Sequence, residues 1–136
     1  MLGGDRRSEL SAALAADPAV RLAYLFGSQA RDDASPASDV DVAVWTEHRL
    51  SLMELGALAE RLAHATGEQV DLVDLRTAPP LLCRQVVAEG EALLVRDAQL
   101  KLDFEIEAVR RYEDTRPLRA TQQQLLKDLV NRGRAA

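Results

Sequence analysis

The stretch Asp39-Val40-Asp41-Val42-Ala43-Val44-Trp45 places a valine at every second position, and this alternation constrains the chain more than any other segment. In an extended strand successive side chains point to opposite faces, and residues two apart lie about 6.6 Å from each other. Val40, Val42 and Val44 therefore share a buried face, while Asp39 and Asp41 project together from the other. Two bare carboxylates side by side repel, and a fold tolerates the pair when a cation lies between them. Hard Mg²⁺ is suited to the task, because it takes oxygen ligands, commonly one or two carboxylates completed by water and phosphate oxygens. The pair thus predicts a divalent metal and, with it, a phosphate ligand.

A cradle for that phosphate stands upstream. Val20 to Phe26 is rich in large apolar residues and ends at Gly27, which reads as a strand running into a tight turn. A glycine there lets the backbone approach a phosphate with no Cβ in the way. Ser28 adds a hydroxyl where a short helical turn begins, and Arg31, one turn on, is placed to neutralise phosphate charge. Asp32 to Ser38 collects Asp, Ser, Ala and Pro without periodicity, so it reads as an exposed loop delivering the chain to Asp39.

Elsewhere the periodicities separate cleanly. A first helix runs from about Ser8 to Asp17, where Asp17-Pro18 stops it. Ser51 and Glu54 have capping-box spacing ahead of Leu52, Leu55, Ala59 and Leu62, and Gly67 closes that helix. Gln69 to Leu75 is a strand, Pro79-Pro80 opens a helix that Gly90 ends, and Glu91 to Arg96 is a last short strand. The expected fold is α/β (α+β): a small mixed sheet with helices on one face, in a single domain spanning 1–136. Its core covers about 8–96, and a C-terminal helical extension follows over about 97–132. In that extension Leu102, Ile106 and Val109 form an apolar stripe, a break falls near Arg116-Pro117, and Leu118, Leu125, Leu126 and Leu129 mark a last helix.

Composition closes off several function classes. Seventeen Lys plus Arg against twenty-two Asp plus Glu give a net charge of -5, which offers no general attraction to nucleic acid. No apolar run approaches the roughly 20 residues of a membrane span, and Met1 to Arg7 lacks the apolar core of an export signal. The lone Cys83 has no second cysteine to bridge, so a cytoplasmic setting is expected. His48 and His64 stand singly, Trp45 reads as core, and Arg110 and Arg111 beside Tyr112 read as solvated surface.

The motif as a whole, GSQARDDASPASDVDVAVW, sets Gly27-Ser28 ten residues ahead of Asp39-Val40-Asp41. It resembles the signature of the minimal nucleotidyltransferases, small relatives of DNA polymerase β and kanamycin nucleotidyltransferase. That resemblance implies a polymerase-β-like nucleotidyltransferase fold, with Gly27 and Ser28 holding ATP and with Asp39 and Asp41 holding Mg²⁺. It also implies a third carboxylate, which by position looks like Asp71 in EQVDLVDL, and which would share the metal or take the acceptor's proton. Asp74 is the alternative: three residues from Asp71 on a strand, it faces the other way, so only one of them can meet the aspartate pair. The short chain and its tail FEIEAVRRYEDTRP are similar to the MntA-type antitoxins paired with HEPN-domain ribonuclease toxins. Such a resemblance implies AMP transfer to a tyrosine of the toxin within a hetero-oligomer. A non-catalytic binding antitoxin and an aminoglycoside-type small-molecule enzyme are the alternative readings.

Overall fold

The seven residues from Val20 to Phe26 offer apolar side chains to both sides of an extended segment, as in a strand covered on both faces. In the computed structural model, which describes residues 4–27 and 40–135, this segment is β1 (Val20–Phe26). It lies between β2 (Val40–Thr46) and β4 (Glu91–Val95), and β3 (Val70–Asp74) adds beyond β2, for the order β3-β2-β1-β4. β1 is antiparallel to both neighbours, whereas β2 and β3 are parallel, so the sheet is mixed. Parallel neighbours need a crossover, and α2 (Leu52–Thr66) supplies it. Both ends of α2 are fixed locally. Ser51 Oγ accepts from the Glu54 amide at 3.1 Å, Glu54 Oε1 accepts from the Ser51 amide at 3.1 Å, and Gly67 closes the helix at φ +71°.

Helices cover both faces of this sheet, not one. On the first face α1 (Gly4–Ala15) and α2 bury Leu10, Leu14, Leu58 and Leu62 against Val40, Val42 and Val44. On the second, α3 (Pro80–Glu89) and α4 (Ala98–Asp114) bury Cys83, Val86, Phe104 and Ala108 against Leu22, Tyr24, Phe26 and Ala43. The first helix of the expected C-terminal extension packs on the sheet through one face. α4 carries two apolar stripes, and the more conspicuous one, Leu102, Ile106 and Val109, points to solvent, while Leu100, Phe104 and Ala108 face the sheet. The expected break is confined to Thr115, after which α5 (Arg116–Ala135) begins, with Pro117 in a first turn that needs no amide donor. None of the described helices is long and apolar enough to cross a membrane.

A buried polar contact ties α4 to β1. The Tyr24 hydroxyl donates to Glu105 Oε1 at 2.7 Å, Lys101 Nζ lies 2.6 Å from the same oxygen, and the Tyr24 and Phe104 rings meet at 5.9 Å. Burial, then the neighbouring Glu105, pushes the Tyr24 hydroxyl far above its usual range. For Glu105 burial acts upward, but the hydrogen bonds from Lys101 and Tyr24 outweigh it and hold the carboxyl below its usual range. A carboxylate stabilised in the fold contributes above its unfolded pKa and loses that contribution as pH falls through the lower folded value. Tyr24→Phe is therefore expected to cost about 1 kcal/mol at neutral pH. In urea unfolding its deficit against the parent chain should shrink as the pH is taken below about 4; a deficit independent of pH would show that the hydroxyl does not act through Glu105.

Candidate active site

Strand register brings the described site residues together. Phe26 is the partner of Asp41 across β1 and β2, and Asp41 is the partner of Asp71 across β2 and β3, so the three form one row near one end of the sheet. Because Val40 and Val42 join the cluster under α1 and α2, Asp41 stands on the opposite face with Ala43 and Trp45. The same alternation puts Asp71 on the face of Val73. Neighbouring strands are about 4.8 Å apart, which brings the two carboxylates within reach of one small cation. Asp41 is half-buried and Asp71 exposed, so the row is open to solvent from the β3 side.

Gly27 closes this end of β1 in the left-handed region, φ +77°, which an L side chain rarely adopts. A Cβ there would also collide with Asp41 Oδ2 and lie 3.1 Å from Asp41 Cγ. The glycine is thus required twice, by its backbone and by the carboxylate packed against its Cα. Its neighbours in the sequence motif, Ser28, Arg31 and Asp39, lie outside the described residues.

Asp74 takes a different position. It pairs with Val44, shares the face of Leu72, is 8% exposed, and accepts from the Arg76 amide through Oδ1 at 2.9 Å. That bond, with the Thr77 and Ala78 amides donating to the Asp74 carbonyl, shapes the turn after β3. The register therefore brings Asp71, and not Asp74, beside Asp41.

The other residues singled out in the sequence are accounted for by local partners. His48 faces Glu54 at 3.3 Å on the surface, and Arg110 pairs with Glu107 at 2.6 Å. Cys83 is buried, and burial pushes its thiol up, so it is a poor nucleophile. Trp45 is half-buried against Phe104 at 6.1 Å, with the Arg76 guanidinium 4.6 Å above its ring. Arg76 also donates to the Thr46 carbonyl at 2.8 and 3.0 Å, locking the far end of β2. No sequence pattern signals this bracing: Arg76 sits in a turn without periodicity, and its partners are main-chain oxygens.

With this geometry in place, the comparisons with known proteins become specific. Residues 8–99 match the family described as polymerase beta, nucleotidyltransferase. The chain is 36% identical over 113 residues to the protein adenylyltransferase MntA of Shewanella oneidensis, covering 83% of this chain and 78% of that protein. It superposes with a TM-score of 0.77, at 33% identity, on a chain from the crystal structure of a toxin-antitoxin with AMP-PNP. That overlap covers 91% of this chain and 98% of the other, so it leaves out fewer residues than α5 contains and part of α5 is common to both. A chain from the structure of a tri-AMPylated Shewanella oneidensis HEPN toxin in complex with MNT antitoxin gives a TM-score of 0.71 at 32% identity, covering 92% of this chain and 96% of the other. With two thirds of its length matched to the family and an adenylyltransferase among its relatives, the chain belongs to the polymerase β nucleotidyltransferase family.

Proposed function

We propose that this chain transfers AMP from ATP to a tyrosine hydroxyl of a HEPN-type ribonuclease toxin, with Mg²⁺, and so acts as the toxin's antitoxin. The observation that carries the reading is the row in which Asp41 and Asp71 are direct partners on one sheet face beside the positive-φ Gly27. The adenylyltransferase relative and the toxin-bound relatives supply the choice of nucleotide and of acceptor.

The donor set fits magnesium. Asp41 and Asp71 offer hard carboxylate oxygens, no thiol or imidazole joins them in the row, and the bare Cα of Gly27 makes room for the Asp41 carboxylate. Asp39, Asp41 and Asp71 are the residues assigned to hold it. Held there, Mg²⁺ would supply charge stabilisation for the departing pyrophosphate and orientation for the attack. Gly27 and Ser28 hold the triphosphate against the end of β1, and Arg31 offsets its charge. In the transfer a bond forms between the phenolic oxygen and the α-phosphorus, while the bond from that phosphorus to the β-phosphate oxygen breaks. A tyrosine has a pKa near 10, so attack at neutral pH needs a base, and the solvent-facing Asp71 carboxylate takes the proton.

The test incubates the purified chain, α-labelled ATP and Mg²⁺ with the purified HEPN-type ribonuclease of the same organism. Label on the ribonuclease and loss of its RNase activity are expected. Label confined to small molecules would point to the aminoglycoside-type alternative, and neutralisation without label to a binding antitoxin. Asp71→Asn should reduce transfer by about 10²–10⁴-fold with the fold intact. Asp74→Asn, which touches the turn and not the row, should lower stability while sparing transfer; equal losses in both variants would remove Asp71 from the mechanism. Two glycines provide a second comparison. Gly67→Ala meets nothing within 4 Å and should cost only the left-handed strain, about 1–2 kcal/mol, with transfer unchanged. Gly27→Ala carries the same strain and displaces Asp41, and should slow transfer on the order of 100-fold.

A further inference from the structure

α5 is a 20-residue helix whose apolar side chains remain uncovered. Leu118, Leu125, Leu126, Leu129 and Val130 are each more than half exposed, and the helix makes its principal contact with α4 beside Thr115. In proteins most helical stability comes from packing an amphipathic face, and α5 leaves its own uncovered. α5 also carries a charge opposite to that of the rest of the chain. It holds Arg116, Arg119, Lys127, Arg132 and Arg134 against Asp128, although the chain as a whole is -5.

We infer that α5 is the docking arm for the acceptor protein, its leucine stripe seating in an apolar groove rimmed by carboxylates on that partner. This inference rests on the proposed transfer to a protein tyrosine, since such an acceptor must be held in register with the Asp41 and Asp71 row. Three observations favour it over other occupants. Part of α5 is common to a relative crystallised as a toxin-antitoxin. A symmetric contact with a second copy would set one basic α5 against another and repel. An interfacial helix commonly sets Trp or Phe beside its leucines, and α5 has leucines but no aromatic residue.

The arm lies far in sequence from the catalytic row, so docking and chemistry can be separated. The test compares the full chain with its Leu125→Glu plus Leu129→Glu variant and with Lys127→Glu, each titrated against the purified HEPN-type ribonuclease by calorimetry at low and high salt. Both leucines are exposed and unpacked, so the variants should keep the parent's urea midpoint and its affinity for ATP with Mg²⁺. The double variant should weaken partner binding at least tenfold. Lys127→Glu should weaken it severalfold at low salt and less at high salt, where surface charge is screened. Unchanged partner affinity in the double variant would overturn the inference while leaving the transfer reading standing. Failure of the parent chain to bind or label the ribonuclease would sink the transfer reading itself, and the docking arm with it. Two further readouts also count against the arm: self-association of the parent abolished by the leucine substitutions would assign α5 to a second copy, and α5-dependent binding to vesicles containing phosphatidylserine would assign it to a lipid surface.

Discussion

Mutual repulsion between the carboxylates of Asp41 and Asp71 is the constraint that the remaining structure answers. Side by side on adjacent parallel strands, they would be separated by any slip of register, and the burial of the opposite face prevents that slip. Val40, Val42 and Val44 are all fully buried, and moving β2 by one residue would carry them to the face of Ala43 and Trp45 and turn Asp41 into the core under α1 and α2. Hydrophobic burial on one side of the sheet therefore holds like charges together on the other. α2 makes the arrangement reachable, because its capping box and left-handed Gly67 fix where the crossover starts and stops, and hence where β3 meets β2.

Much of this was written locally in the chain. The alternation through Val40, Val42 and Val44, the Ser51 and Glu54 box, and the glycines at 27, 67 and 90 place nearly every element to within a few residues. What local pattern could not supply was pairing. The three-residue spacing of Asp71 and Asp74 says that they face opposite ways, but which face meets Asp41 depends on strand register, a long-range property. Which stripe of α4 is buried was illegible for a related reason. Leu102, Ile106 and Val109 repeat at helical spacing as well as Leu100, Phe104 and Ala108 do, and only contact with the sheet distinguishes a buried stripe from an exposed one. The motif is a further case: Ser28, Arg31 and Asp39 announce it in sequence, yet they fall outside the described residues.

Covering the second face with α3 and α4 changes how the site is supported. Phe26, next to Asp41 in the row, belongs to the same cluster as Tyr24 and Phe104, so the floor beside the carboxylates is continuous with the packing of α4. The Tyr24 to Glu105 hydrogen bond and the Trp45 to Phe104 contact fasten α4 at two points along the sheet. α4 is then both a wall of the core and the base from which α5 projects. Strand register sets where the aspartate row sits, and α4, packed on the same face of the sheet, sets where the exposed leucines project.

The charge balance bears on what such a site can accept. Free triphosphate is repelled both by a chain of net charge -5 and by the exposed carboxylate row, since phosphate and aspartate carry the same sign. Two carboxylates in turn leave most of the octahedral shell of Mg²⁺ to be filled by water or phosphate oxygens. Each component is therefore poorly matched alone and well matched with the other. Under the proposed function, the Asp41 and Asp71 pair selects the metal-bound nucleotide over the free one, because only the bound form brings the positive charge that the row lacks. The positive-φ Gly27 supports the same pair sterically: its bare Cα makes room for the Asp41 carboxylate, which sits where a Cβ would lie.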